Sequence, residues 1–319
     1  MTHSDQQIIE RVCHWLQHHH NVTLFTVIDS WGSAPRPAGS MLAINQLGEF
    51  AGSVSGGCID DYLMERVAAG DFQHNAPQML TFGDTTDSQL KFKLPCGGRL
   101  QLLAESDLST SQFSLIAETL NQRQRIARRV CLATHEASLH ATTDSATLIA
   151  DEYNVTRNFG PCWRMILIGA GELSQYIYRF GEALDYQIFV CDPREPYRSN
   201  WPLGGITVSK QMPDDLVTAL QPDDHTIILT LSHDPKLDDM ALMTALTLDA
   251  FYVGALGSKQ SSQTRQQRLL QLGLSAQQIT KLHAPVGLDI GSRTPAEIAL
   301  AILADITAQR HGKTLITSS

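Results

Sequence analysis

Arg164-Met165-Ile166-Leu167-Ile168-Gly169-Ala170-Gly171-Glu172-Leu173-Ser174 is the stretch that decides the fold. Five residues of a short buried-type strand run straight into a glycine turn, and an amphipathic helix pattern begins at once behind it. Gly169 permits the tight turn, and Gly171 lets an anionic ligand approach bare backbone. The helix that follows would aim free N–H groups and its positive dipole end at that ligand. Asp192 closes the next apolar run, 21 positions beyond Gly171, where a carboxylate can accept bonds from ribose hydroxyls. Ser174 stands at the third glycine position and is expected to hold the helix slightly off the strand. A turn that is only structural, or that takes some other phosphate, remains the alternative to a bound dinucleotide.

Outward from this motif, strands and helices alternate to the end of the chain. RMILIG, QIFVCD, a short ITVS, TIILTL and FYVGAL read as strands, with helical patterns between them. That alternation predicts βαβ units and a parallel sheet. The final helix has a defined start: Thr294 caps, Pro295 takes the first position and Glu297 completes a capping box. Two loops fall at carboxyl ends of strands, where open α/β sheets place their ligands. One is Ser232-His233-Asp234-Pro235, and the other runs from Gly254 through Gly257 and Ser258 to Lys259. Asp234-Pro235 has the bland reading of a helix cap.

Before Asn158-Phe159-Gly160-Pro161 the pattern is different. A helix is predicted near Ser4–His19, a strand over Val22–Asp29, and a hairpin from MLAI and FAGSVS around Leu47-Gly48-Glu49. Helical spacing follows Cys58, a strand covers Gln101–Glu105, a helix Ser109–Arg123, and IARRVCLAT and SATLIA are further strands. The fold expectation is therefore α/β: a Rossmann-like doubly wound parallel sheet over 159–319, preceded by a mixed α+β domain over 1–158.

Composition bounds the function. At 319 residues the chain is long enough for two cores, and 43% hydrophobic against 18% charged residues is an ordinary globular balance. A formal net charge of −9 argues against a nucleic-acid partner. No apolar run reaches the ~20 residues a membrane span needs, and the first residues show no export signal. Six cysteines without a CxxC pair fit reduced thiols and a cytoplasmic location.

Two cysteines stand apart, Cys58 in GSVSGGCIDDY and Cys96 in LPCGGR. Gly56-Gly57 and Gly97-Gly98 strip side chains from around a thiol and admit a bulky ligand. A helix starting at Cys58 would favour its thiolate, and soft thiolates suit molybdenum or sulfur transfer better than magnesium or calcium. Cys13, Cys131, Cys162 and Cys191 lie in apolar runs and read as small buried hydrophobes. Arg36, between two prolines, carries a fixed charge on a stiff backbone and could clamp a phosphate or pterin. His14 and His18 have i, i+4 spacing without a third ligand nearby, so a solvated helix end is the plainer reading.

Taken together, GSAPRPAGSMLAI, GSVSGGCIDDYL, PCGGRLQLL, ILIGAGELSQYI, VCDPRE, LSHDPKLDDMAL, YVGALGSK with Arg265 behind it, and APVGLDIGSRTPAEIALAILADI resemble the XdhC/CoxI family in sequence and order. These are accessory proteins of xanthine and carbon monoxide dehydrogenases. The resemblance implies a protein that binds molybdenum cofactor, as molybdopterin or its dinucleotide form, and shields it. It implies cooperation with a cysteine desulfurase in sulfuration, delivery to the large subunit of a molybdenum hydroxylase, and a homodimer. Cys58 and Cys96 would then face the metal, while the Rossmann-like half takes the pterin phosphate or nucleotide. Such a protein is an accessory or binding protein rather than a turnover enzyme. Ser232 stands where threonine is commoner in the family, and keeps the hydroxyl.

An NAD(P)-dependent oxidoreductase is the competing expectation, resting on Gly169, Gly171 and Asp192. The second half carries no YxxxK pair for hydride chemistry. A nucleotidyltransferase would need a basic residue close behind a Gly-rich N-terminal loop, which is also absent.

Overall fold

The computed structural model describes residues 1–31, 36–72, 76–83 and 99–313. They fall into two units, Met1–Cys162 and Trp163–Ser319. The sequence reading puts its boundary after Asn158. The strand there runs on to Phe159, which pairs with Ile126, and the units part after Cys162.

In the first unit, helix His3–Gln17 opens on a capping box. Asp5 N–H donates to Thr2 Oγ1 at 3.1 Å and Thr2 N–H donates back to the Asp5 carboxylate at 3.3 Å. Its buried stripe of Ile8, Ile9, Val12, Trp15 and Leu16 packs with helix Thr110–Asn121 through Phe113, Ile116 and Leu120. Beneath lies an antiparallel sheet of β1 (Val22–Trp31), β2 (Met41–Asn45), β3 (Phe50–Gly52), β4 (Gln78–Phe82) and β5 (Arg99–Glu105), in the order β3-β2-β1-β5-β4. Val22, Leu24, Met41 and Ala43 meet the first helix, while Phe25, Val27, Leu42 and Ile44 meet helix Cys58–Ala68 through Ile59 and Leu63. Both faces are covered, which is why β2 and the stretch Val22 to Ile28 of β1 are buried without alternation.

A second antiparallel sheet holds β6 (Ile126–Cys131), β7 (Ala137–Ala141), β8 (Leu148–Ala150) and β9 (Asn154–Phe159), ordered β7-β6-β9-β8. Buried Arg128 makes a bidentate pair with Glu105, at 2.9 and 3.1 Å. The strands β4, β7 and β9 have no counterpart in the sequence reading. β9 is NVTRNF, with Thr156, Arg157 and Asn158 all buried. Arg157 is accommodated because its donors reach the carbonyls of Gly39, Thr147 and Asn158 and the Asp5 carboxylate.

The second unit is the parallel sheet the sequence predicts. β10 (Arg164–Ile168), β11 (Gln187–Cys191), β12 (Thr226–Thr230), β13 (Tyr252–Ala255) and β14 (Leu282–His283) lie in the order β11-β10-β12-β13-β14. Helices Glu172–Ala183 and Pro295–Arg310 cover one face through Ile177, Ala299 and Ile302. Helices Pro213–Leu220, Pro235–Ala245 and Lys259–Gln271 cover the other through Val217, Leu242 and Leu269. Residues Met165 to Ile168 are fully buried. Each such side chain contributes roughly 1.5–3 kcal/mol of burial. The last helix has the capping box of Thr294 and Glu297 with Pro295 in its first turn.

ITVS is not the strand its composition suggests. Gly205, at φ +90°, breaks the chain just before it and Pro213 follows soon after. Only Ser209 pairs, as a parallel bridge to Cys191: Ser209 N–H donates to the Val190 carbonyl at 2.8 Å, and Asp192 N–H donates to the Ser209 carbonyl at 3.0 Å. Yet that bridge sits outside β11, where a third strand belongs. Counting it gives the order 3-2-1-4-5-6 of dinucleotide-binding sheets, with the switch point between β10 and β12. Among the described residues no helix is long and apolar enough to cross a membrane.

Candidate functional site

Two sets of loops carry the candidate residues, one in each unit. In the second unit they gather at the carboxyl ends of the parallel strands. Gly169 has φ +105°, and a Cβ there would lie 2.6 Å from Ser232 Cα and 2.8 Å from Ser232 N. The turn after β10 therefore runs against the turn after β12, and only glycine fits. Gly171 is different: at φ −80° it starts helix Glu172–Ala183, has no side-chain cap, and a Cβ would meet nothing within 4 Å. Its first-turn amides have no intrahelical acceptor, but Glu172 puts a carboxylate in that turn. Ser174 does not act as a wedge. It is fully buried and its hydroxyl donates to the Gly169 carbonyl at 2.6 Å, tying helix to turn.

Asp192 is where the sequence puts it, at the end of β11, but it is inaccessible and occupied. One oxygen accepts from Ala170 N–H at 2.9 Å and from Arg194 Nη2 at 2.8 Å. The other accepts from Arg194 N–H at 3.0 Å and Nε at 2.9 Å. Burial pushes its pKa up, but these bonds outweigh that and hold it below the usual carboxylate range. A ribose diol would have to displace Arg194, whose guanidinium also stacks 3.9 Å from the Tyr197 ring centre.

After β12, Ser232 Oγ donates to Asp238 Oδ1 at 2.7 Å and accepts from Asp234 N–H at 3.0 Å. Asp234 caps helix Pro235–Ala245 through Lys236 N–H at 2.9 Å, so the bland reading of that residue is a real part of its work. His233 is exposed, in the left-handed region at φ +58°. After β13, Gly257 precedes the Ser258 cap of helix Lys259–Gln271, and Lys259 is exposed.

Four residues beneath these loops escape the sequence reading as site components. Asp238 pairs with Arg265 at 3.4 Å, Arg265 Nη1 donates to the Leu256 carbonyl at 3.0 Å, and Asp239 pairs with Arg268. Burial raises the pKa of the Asp238 carboxyl against the pull of Ser232 and Arg265. The available signal was adjacent acids on one helix and arginines three apart on another, the spacing of one helix face. Among the described residues, Thr230 Oγ1, Ser262 Oγ and Arg265 Nε are buried without partners.

In the first unit, Cys58 is exposed and begins helix Cys58–Ala68. The loop leading into that helix is held by Asp60. Backbone N–H groups of Val54, Ser55, Gly56 and Gly57 donate to Asp60 at 2.9 to 3.1 Å, and Ser53 Oγ donates at 2.7 Å. Asp60, absent from the sequence candidates, thus shapes the whole loop before the cysteine. Gly56, at φ +77°, and Gly57 would each place a Cβ in open space. Arg36 is exposed. Cys96, Gly97 and Gly98 lie outside the described residues. Among those described, no group of three or more His, Cys, Asp or Glu side chains is placed to hold a metal ion.

Cys13, Cys162 and Cys191 are buried, as apolar context suggests. Burial raises the Cys162 thiol and pushes Cys191 up to about 12. Cys131 departs from its group: it is half-buried, and hydrogen bonds from Thr134 and Ala133 lower its thiol. His18 Nδ1 bonds the His14 carbonyl at 2.8 Å, within the helix end.

An antiparallel two-sheet unit with an exposed cysteine, followed by a dinucleotide-order parallel sheet with polar loops at its carboxyl ends, makes a two-unit α/β protein of the Rossmann class. The chain belongs to the XdhC/CoxI family: the model of the XdhC Rossmann domain matches residues 165–306, and that of the XdhC and CoxI family matches residues 15–83. It is 27% identical to the molybdenum cofactor insertion chaperone PaoD of Escherichia coli (strain K12), over 90% of this chain and 83% of PaoD. It is 22% identical to a probable xanthine dehydrogenase subunit of Bacillus subtilis (strain 168), over 92% of this chain and 95% of that one. A crystal structure described as a xanthine dehydrogenase from Bacillus halodurans shares the fold, with TM-score 0.74 and 22% identity over 100% of this chain and 98% of that chain.

Proposed function

We propose that this chain binds molybdenum cofactor, protects it and delivers it to the large subunit of a molybdenum hydroxylase. The observation that carries this is the likeness to PaoD, named as a molybdenum cofactor insertion chaperone, across nine-tenths of the chain. The local geometry supports it. Cys58 is a soft ligand at a helix start, presented to solvent behind two side-chain-free residues on a loop that Asp60 holds. Cys96 with Gly97 and Gly98 joins it on the strength of sequence, and Arg36 is an exposed cation for an anionic ligand. In the second unit Gly169, Gly171, Ser232, His233, Asp234, Gly257 and Lys259 are the candidate cofactor-binding residues, gathered at the carboxyl ends of the parallel strands. Asp192 acts there through Arg194 and the turn rather than by direct contact.

Within the same reading, sulfuration with a cysteine desulfurase, a homodimer and a cytoplasmic setting follow from the family's work. Molybdopterin and its dinucleotide form both remain candidate cargoes. The chain acts by binding, with no turnover of its own. The saturated Asp192 makes NAD(P) chemistry the poorer fit.

The test is the molybdenum and pterin content of full-length chain purified after co-expression with the cofactor pathway, beside Cys58→Ala and Cys96→Ala. Near-stoichiometric content in the wild type, lost in a cysteine variant, supports the proposal. An empty wild type that instead titrates tightly with NAD(H) or NADP(H) would replace it with the oxidoreductase reading.

A further inference from the structure

Three helices begin at the carboxyl edge of the parallel sheet beside the candidate loops, and their charges differ. Glu172 opens the first, and Asp234 caps the second. A carboxylate at a helix start already occupies its positive end and repels another anion. The third, Lys259–Gln271, is capped by the Ser258 hydroxyl and opens with an exposed lysine.

Behind that third start the interior is polar and incompletely bonded. A Cβ on Gly257 would meet Ser261 Oγ at 2.6 Å, with Arg265 Nη1 at 3.5 Å and Ser262 Oγ at 3.6 Å, so only a rotatable serine hydroxyl closes the place of the missing side chain, beside both. Ser262 is 2% exposed and its hydroxyl has no partner among the described residues; Arg265 is 7% exposed and its Nε has none. Buried polar groups are nearly always bonded, and an exception beside a helix start calls for an acceptor. Asp238 neutralises Arg265, so the uncompensated positive charge at this point is that of Lys259.

We infer that the Gly257–Lys259 loop, not the glycine turn of Gly169 and Gly171, seats a phosphate group of the cargo. The phosphate lies against the bare Gly257 backbone, accepts from the first amides of the helix and from Ser262 Oγ, and faces Lys259. This rests on the carrier reading for the identity of the cargo, though not for the existence of the site. The phosphate could be the terminal monoester of a pterin or the pyrophosphate of a dinucleotide.

Titration calorimetry of the full-length chain with inorganic phosphate and with pyrophosphate tests it. Lys259→Glu and Gly257→Ala, which adds a methyl against the Ser261 hydroxyl and covers the bare backbone, should each weaken binding about tenfold, and Ser262→Ala severalfold. Lys236→Glu, an equal charge change at a neighbouring exposed position, should leave affinity within about twofold. Similar affinities for the two probes point to a monoester, and a preference for pyrophosphate points to a dinucleotide.

No heat with either probe at millimolar concentration overturns the inference. So does a tenfold loss in Gly171→Ala with none in Gly257→Ala, or an equal loss in Lys236→Glu. Pterin content of the same variants separates the two proposals. Normal pterin in Lys259→Glu and Gly257→Ala defeats this site alone. Phosphate binding lost as expected, with no pterin in any preparation, defeats the carrier reading and leaves the site standing.

Discussion

Replacing Gly169 and Gly171 by alanine, one at a time, separates the structural work of the glycine turn from any ligand contact. Alanine at Gly169 must hold φ +105°, where an L side chain costs about 1–2 kcal/mol. Its Cβ would also lie 2.6 Å from Ser232 Cα and 2.8 Å from Ser232 N, backbone atoms that cannot rotate away. Overpacking of that kind typically costs about 1–3 kcal/mol, so the expected loss is about 2–5 kcal/mol. Gly171 sits at φ −80° with open space around its Cβ position. There alanine forfeits only a helix-cap preference, about 1 kcal/mol or less. Urea unfolding followed by tryptophan fluorescence and far-ultraviolet circular dichroism reads both. With a urea slope of roughly 2 kcal/mol per molar, Gly169→Ala should lower its midpoint by about 1–2.5 M, and Gly171→Ala by less than about 0.5 M. Equal midpoints for the two variants would refute the claim that the turns after β10 and β12 are locked together through Gly169.

Four further outcomes are expected. Cys58→Ala, at an exposed position, should leave stability within about 0.5 kcal/mol while molybdenum content falls; an unfolded variant would show that Cys58 is structural. Asp60→Ala should cost about 2–3 kcal/mol, because four backbone amides lose a charged acceptor; a neutral change by chemical denaturation would show that the loop holds itself. Arg128→Met, which leaves Glu105 buried and unpaired, should cost about 3–5 kcal/mol, and an unchanged thermal midpoint contradicts it. Burial lowers the pKa of His283, with Asp305 opposing, and its ring stacks on Tyr252 at 4.1 Å. The unfolded chain therefore takes up that proton first as pH falls below about 6.5, and its share of stability, present above 6.5, is lost toward acid. Stability of wild type and His283→Phe, compared between pH 7.5 and 5.5, should show a shallower acid loss in the variant; parallel curves would dismiss the effect.

How much of this was legible in the sequence depended on whether local pattern and tertiary demand agreed. RMILIGAGELS names a strand, a turn and a helix by composition alone, and all three form. β9 could not be read, because a strand holding Thr156, Arg157 and Asn158 is acceptable only once Gly39, Thr147 and Asp5 stand ready to bond it. ITVS failed in the other direction. It has the residues of a strand, but the left-handed turn at Gly205 and the proline at 213 leave room for a single bridge. Even so, the position of that bridge completes a strand order that pattern alone could not supply.

The candidate site divides along the same line. A residue's presence at a strand end is a sequence property, whereas its freedom to touch a ligand depends on what else reaches it. Asp192 and Asp234 are both where a ligand-binding acid belongs, yet one is enclosed by Arg194 and Ala170 and the other caps its own helix. In sequence, Gly257 and Lys259 are only a small residue and a surface charge. They gain weight only because Ser262 and Arg265, on the helix that follows, bring polar groups close to Gly257, with just the Ser261 hydroxyl nearer, and each keeps a buried polar atom unbonded. Asp60 makes the same point for the first unit: two residues past the cysteine that draws attention, it is the carboxylate that gathers four amides and gives the loop its shape. The sequence names the atoms that could bind; the accounting of hydrogen bonds decides which of them are still free to do so.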